Sequence, residues 1–287
     1  MAGGEFPQPM TTAFKNLERQ KNPWGYAPSE AHEFLKDNKY PEFDGQDVLY
    51  WMGCFARFDD RYRKASLAFK AKLEAAGVGF GVLYNEACTG DGARRAGNEF
   101  LFMELAMENI AVLNEAKPKT IVSTCPHCVR TLGEYRTLDE PLEGGARIVH
   151  HSAFLRELQA QGKLRKSEGG DGGGNGGKVV FHDACYLSRY QAGATAEDPR
   201  AYLRARGISI TEAKRKGVQS FCCGAGGAQF FSEEDEGERI YRLRTDELLK
   251  TGAKTIVTAC PFCQAMLRDG IGDKGVEDVE VKDLAQM

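Results

Sequence analysis

Two stretches decide the fold: AKPKTIVSTCPHC at residues 116–128 and GAKTIVTACPFC at residues 252–263, whose last cysteines stand 135 residues apart. Each is a β-branched run that reads as a strand, followed by a cysteine, a proline suited to the first position of a helix, and a second cysteine. Outward from them, a lone cysteine recurs at Cys54 and Cys185 with a similar offset of 131 residues. The chain is therefore read as two homologous halves of about 130 residues each. Its nine cysteines form one pattern written twice: Cys54, Cys88, Cys125 and Cys128, then Cys185, Cys222, Cys223, Cys260 and Cys263.

Further strand-like runs are VLYW (48–51), FGVLY (80–84), RIVHH (147–151), KVVFH (178–182) and ISITEA (208–213). Apolar positions recur at helical spacing over 59–76, 94–115, 152–160, 198–206 and 232–250. Strand and helix alternate, which predicts an α/β fold of two tandem, pseudo-repeated units with mainly parallel sheets. Ligands gather at the carboxyl ends of strands in such sheets, and Cys125 and Cys260 fall there. The expected organisation is an N-terminal arm (1–45) that docks a partner, a first unit (46–165), a Gly-rich linker (166–178) and a second unit (179–287). Trp24 and Tyr26 give the arm something to dock with.

Lys plus Arg number 38 against 41 Asp plus Glu, a net charge of -3 with no long basic run, so no nucleic-acid partner is expected. No stretch approaches the roughly 20 apolar residues that cross a bilayer, so no direct membrane span is expected. The opening MAGGEFPQPMTTAFKN lacks the apolar core of a secretory signal, which points to the cytoplasm. Disulfides are rare there, and nine cysteines then call for a metal or redox explanation.

An iron–sulfur cluster needs about four sulfurs converging from loops at one end of a fold, and each half supplies them. Helices starting at Pro126 and Pro261 would aim free N–H groups at an anionic centre, and the glycines of CCGAGG would let backbone approach it. Three alternatives stay open. Structural zinc also takes four thiolates, but usually from two short CxxC knuckles, whereas each half has one. CPHC and CPFC suit thiol–disulfide exchange, which leaves five cysteines unused. Buried apolar cysteines are common singly, less so in a repeat.

The second half resembles the CCG, or cysteine-rich, domain: Cys185, 36 residues, Cys222-Cys223-Gly224, 35 residues, then Cys260-Pro261-Phe262-Cys263. The resemblance covers roughly residues 46–287 and is to the CCG-bearing subunit of heterodisulfide reductase and related iron–sulfur proteins. It implies that Cys185, Cys222, Cys223, Cys260 and Cys263 hold a non-cubane 4Fe-4S cluster. The first half departs from the pattern, reading Cys88-Thr89-Gly90 where CCG is expected. Its four thiolates, Cys54, Cys88, Cys125 and Cys128, are expected to hold an ordinary 4Fe-4S cluster, with zinc as the alternative. Counting back from Cys125 by the second half's spacing sets Cys88 opposite Cys223, whereas reading CTG as CCG sets Thr89 there.

AFKNLERQKNPWGYAP (13–28), CTGDGARRAGNEFLF (88–102) and SFCCGAGG (220–227) look like the C-terminal part of large bacterial iron–sulfur oxidoreductases. Such proteins are thought to pass electrons from electron-transfer flavoprotein to menaquinone. The resemblance implies an iron–sulfur electron-transfer subunit that works with a flavoprotein or ferredoxin-like donor and a membrane quinone-reactive subunit. It implies a cytoplasmic place, or a peripheral one at the inner face of the cytoplasmic membrane through that partner. Direct disulfide reduction at the second cluster is the alternative, and a zinc-stabilised scaffold is the alternative of another class. Among the remaining residues, Arg94 and Arg95 could offset cluster charge and His127, between two cysteines, could donate to a sulfide. His150 and His151 end one strand and His182 another; His151 and His182 are the candidates for supplying protons.

Overall fold

The computed structural model describes residues 6–164, 178–232 and 238–287. The linker expected at 166–178 lies outside the described residues except for Lys178. In the first half the chain runs α1 (Gln8–Gln20), α2 (Pro28–Asp37), β1 (Val48–Trp51), α3 (Gly53–Phe58), α4 (Asp60–Ala75), β2 (Phe80–Gly81), α5 (Asp91–Arg95), α6 (Glu99–Ala116), β3 (Thr120–Ser123), α7 (Pro126–Glu134), β4 (Arg147–His150) and α8 (His151–Ala160). The second half runs β5 (Val179–His182), α9 (Cys185–Ser188), α10 (Glu197–Ala205), β6 (Ile210–Thr211), α11 (Ile240–Leu249), β7 (Thr255–Thr258), α12 (Pro261–Asp273), β8 (Glu280–Asp283) and a 3-10 turn (Leu284–Gln286).

The strands form two four-stranded sheets, ordered β2-β1-β3-β4 and β6-β5-β7-β8, with every pairing parallel. In both sheets the strand order reverses between the first strand and its neighbour across the crossover, which makes the crevice beyond β1/β3 and β5/β7 the natural ligand position. Matching registers equate the halves: Trp51 pairs with Ser123 and His182 with Thr258. Trp51 and His182 therefore occupy equivalent strand ends, three residues before Cys54 and Cys185.

One face of both sheets packs into a shared core that includes Tyr50, Val122, Val149, Phe181, Val257 and Leu284. A second core on the other face of the first sheet holds Leu49, Trp51 and Ile121 with Phe102, Leu105 and Leu113 of α6. Its counterpart in the second half joins Val180 and Ile256 to Leu248, Leu267 and Ile271. The halves also clasp each other, α8 packing on α10 and the 3-10 turn after β8 packing on α4.

Several expectations are corrected. The single helix expected over 94–115 is two, because Gly97 turns the backbone at φ +92° and the Asn98 side chain caps α6 by accepting from Leu101 N at 3.3 Å. The run at 80–84 keeps only two strand residues, since Val82 pairs instead with residues 41–43 through Val82 N to Pro41 O and Phe43 N to Val82 O. Strand β8, with the polar sequence EVKD, has no counterpart among the strand-like runs. The segment expected as an arm is helical and packs on the rest of the chain, on the first half and, through α1, on residues 229–231 of the second. Met10, Phe14 and Leu17 are buried, and the Trp24 ring sits edge-on 4.8 Å from Phe55. Tyr26 stacks on Phe58.

Candidate functional site

The nine cysteines meet at the carboxyl ends of the two sheets. Cys54 lies in the first turn of α3, Cys88 in the loop before α5, Cys125 caps α7 and Cys128 lies in that helix's first turn. In the second half Cys185 opens α9, Cys222 and Cys223 occupy the loop after β6, and Cys260 and Cys263 stand at the start of α12. Every one is a free thiol, and five are buried: Cys125, Cys128, Cys223, Cys260 and Cys263. Pro126 and Pro261 take first-turn positions of α7 and α12, where a missing N–H costs nothing.

The thiols of the second half form one continuous chain of contacts. Cys185 meets Cys222, Cys222 meets Cys223, Cys223 lies 3.4 Å from Cys263, and Cys263 meets Cys260. In the first half the chain is broken into two pairs, Cys54 with Cys88 and Cys125 with Cys128. The local geometry also decides the alignment of the two loops. Cys222 Sγ accepts from Gly224 N at 3.3 Å and Cys88 likewise accepts from Gly90 N, both glycines having positive φ. Cys88 is thus the counterpart of Cys222, and buried Thr89 stands where Cys223 links the two ends of the sulfur chain. The position that counting back from Cys125 assigns to Cys88 is wrong by one residue, because the first half is one residue shorter between Gly90 and Cys125.

Crowding sets the acidity of these thiols. A shared hydrogen bond with Cys88, then burial, pushes Cys54 well up, while the same bond pulls Cys88 down. Cys128 is pushed up by its bond to Cys125 and by burial. In the second half Cys185 is pushed up by Cys222, and Cys222 is pulled down by Cys185 and Cys223. A set of thiols that cannot all ionise together in a low-dielectric site is the arrangement that a bound cation relieves, since the metal ligand is the thiolate. The donor set, all sulfur and converging on one end of each half, fits an iron–sulfur cluster and in the first half fits zinc as well.

The two groups face each other. His127, from the first half's CPHC, stacks on Tyr186 at 3.9 Å and packs against Phe262 at 4.5 Å, both belonging to the second half's cysteine segments. Its Nδ1 donates to Asp91 Oδ2 at 2.8 Å, and Tyr186 Oη donates to the same carboxylate at 3.1 Å. Burial works against the imidazolium, but the Asp91 carboxylate outweighs it and holds His127 up at about 10. Burial would likewise raise Cys260, but bonds from Cys263 and His127 bring it down to about 5. The expected donor between two cysteines therefore serves the other half's cysteine. Arg94 and Arg95 are not free: both bond Glu134, and Arg95 also bonds Asp91.

Among the other histidines, His150 and His151 are fully buried with Nε2 and Nδ1 3.1 Å apart, and His151 Nε2 lies 3.1 Å from Asp283 Oδ1. Tyr62 Oη donates to the other oxygen of Asp283 at 3.0 Å, so this network ties β4 of one half to β8 of the other. His182 is fully buried, and one of its ring nitrogens lies within 4.8 Å of the Cys223 and Cys263 sulfurs. Burial, with Arg244 beside it, pushes His182 down to about 3, so its ring is neutral near pH 7, which suits hydrogen bonding better than proton storage. Sequence reasoning missed Glu86, a buried carboxylate that accepts from Met52 N at 2.9 Å and Gly53 N at 2.6 Å and so anchors the turn bearing Cys54. It also missed Arg200, which clamps Asp183 with two hydrogen bonds of 2.6 and 2.9 Å two residues before Cys185.

Comparison with known proteins places this geometry. The chain is 35% identical over 99% of its length to an EtfAB:quinone oxidoreductase of Syntrophomonas wolfei. It is equally identical to a probable iron-sulfur-binding oxidoreductase, FadF, of Bacillus subtilis. It spans 41% of the length of each. It is also 29% identical, over 84% of its length, to a component of the dihydromethanophenazine:CoB–CoM heterodisulfide reductase of Methanosarcina acetivorans, spanning 58% of that protein. The cysteine-rich domain model matches twice, at residues 48–133 and 179–268, one match per sheet, and the chain belongs to the CCG cysteine-rich domain family.

Proposed function

We propose that this chain is the iron–sulfur part of an electron-transfer oxidoreductase. The observation that carries the reading is the convergence of nine unpaired thiols on two facing sites at the strand ends of a duplicated sheet. Cys185, Cys222, Cys223, Cys260 and Cys263 would hold a non-cubane 4Fe-4S cluster. Cys54, Cys88, Cys125 and Cys128 would hold an ordinary 4Fe-4S cluster or, alternatively, zinc. A bound cluster supplies one-electron transfer. The chain's own groups do the rest: thiolates ligate, the amide-bearing starts of α7 and α12 would face the negative charge, and the five buried cysteines keep water from one side while Cys54, Cys88, Cys185 and Cys222 stay partly exposed. His127, held by Asp91, contributes a hydrogen bond across the boundary.

Electrons would pass between a flavoprotein or ferredoxin-like partner and a quinone, through a membrane partner that sets the chain at the inner face of the cytoplasmic membrane. The names of the quinone oxidoreductase and heterodisulfide reductase relatives support this direction of search. Among the described residues no helix is long and apolar enough to cross a membrane. The test is iron, zinc and acid-labile sulfide content, with EPR, on anaerobically purified protein. About eight irons per chain support two clusters, about four irons plus one zinc make the first site structural, and zinc without iron sinks the redox reading. Reduction of disulfides by viologen-reduced protein, with no turnover of quinone, would move the acceptor to the disulfide class.

A further inference from the structure

The ring of His182 is held by a donor that leaves it only one role. Arg244 Nε donates to His182 Nδ1 at 3.0 Å. The guanidinium is itself fixed, fully buried, with Nη1 donating to Arg215 O at 3.1 Å and paired with Glu247 at 3.2 Å. An arginine is always a donor, so the bond consumes the single lone pair that a neutral imidazole carries. The other nitrogen, Nε2, then bears the hydrogen. That N–H is fully buried and has no partner among the described residues. Buried donors are almost always paired, and an orphan calls for a missing acceptor. At the register-paired end of β7, the Thr258 hydroxyl is likewise buried without a partner among the described residues.

Two buried cysteine sulfurs lie close to the ring. His182, Cys223 and Cys263 bring their ligand atoms within 4.8 Å of one another, a grouping that by distance alone suits a metal held by one nitrogen and two sulfurs. The tautomer argues against that grouping whichever nitrogen is meant, because Nε2 carries the hydrogen and the Nδ1 lone pair already accepts from Arg244. We propose that His182 is a positioning residue whose Nε2–H donates to the sulfur of the second-half centre, with Arg244 locking the tautomer. The inference rests on the iron–sulfur reading above. A donor to cluster sulfur stabilises the more negative, reduced form, so its removal shifts reduction to lower potential. The equivalent strand end in the first half carries Trp51, whose indole Nε1–H is likewise buried without a partner among the described residues, so what sets the second half apart is a donor whose tautomer an arginine holds.

The test uses the full chain, purified anaerobically, as wild type, His182→Phe, His182→Gln and Arg244→Met. Iron and sulfide content, the midpoint of the second-half centre by EPR titration, and exchangeable-proton coupling in D2O are measured on each. The expected result is wild-type iron content in both His182 variants, with a more negative midpoint and one exchangeable coupling lost in His182→Phe. His182→Gln, whose amide reaches toward the place of Nε2, restores both in part. Arg244→Met, which frees Nδ1 and lets the ring turn over its tautomer, moves the midpoint the same way as His182→Phe. An unchanged midpoint and coupling in His182→Phe overturn the proposal. Loss of second-centre iron from both His182 variants also overturns it and makes His182 a ligand. A wild-type chain without iron removes the proposed function and this inference together, before any variant is compared.

Discussion

The two cysteine sites are built on the same scaffold and differ at the points where their sulfurs and their polar neighbours meet. Sheet order, register, the helix-opening proline and the positive-φ glycine after the second loop are common to both. The second half adds a sulfur at Cys223 where the first has Thr89, and an imidazole at His182 where the first has Trp51. The first half in turn supplies His127 to the second half's Cys260. The difference shows how a duplicated unit specialises: strand ends and helix starts fix where the cysteines converge, and single substitutions at those ends decide how many sulfurs and which polar groups gather there. The first half then doubles as part of the second site's wall.

Separate replacement of each site's capping cysteine is the most severe way to break this comparison. Cys260→Ser should lower iron from about eight to about four per chain and erase one EPR signal, and Cys125→Ser should erase the other. Loss of all iron from either variant would show that the sites are one unit. Next in size, Arg200→Met leaves the buried Asp183 carboxylate without its clamp and should cost about 3–5 kcal/mol in denaturant titration. Arg57, by contrast, donates to the backbone carbonyls of Glu86 and Tyr84, and Arg57→Met should cost only about 1–3 kcal/mol. An equal loss in the two variants would remove this asymmetry.

Gly53 and Ala184 precede the first cysteine of each half and sharpen the comparison further. Gly53 has φ +73°, and a Cβ there would sit 3.0 Å from Cys128 Sγ, whereas Ala184 has φ -68°. Gly53→Ala should cost about 1–2 kcal/mol and disturb the first site's spectrum, while Ala184→Gly should cost about 0.5–1 kcal/mol and leave it unchanged. The smallest effect on stability is expected from Thr89→Cys, within about 1 kcal/mol. Its value is spectroscopic, since a first-half EPR signal that comes to resemble the second-half one would trace the difference to that one sulfur.

Much of the architecture is legible in local pattern. The runs VLYW, TIVST and TIVTA become β1, β3 and β7 almost residue for residue, because β-branched stretches buried on both faces leave little choice. Other features escaped. EVKD carries no apolar signal, and β8 forms because the edge of β7 is available and because Val281 alone faces a core. The first two helices look polar overall, and only contact with α6 and the shared core makes their apolar stripes meaningful.

The sequence by itself determined the duplication, the α/β class, the strand ends on which the cysteines fall and the absence of a fifth cysteine in the first half. These are properties of spacing and residue type, which local sterics and hydrophobic period translate directly into structure. Tertiary structure alone decided that Thr89 replaces Cys223, that His127 crosses to Cys260, and that Arg244 fixes the tautomer of His182. The first rests on the local bonds at Gly90 and Gly224, the second on how the two halves pack against each other, and the third on a contact between β5 and α11 within the second half, and no spacing along the sequence encodes the direction in which those side chains point.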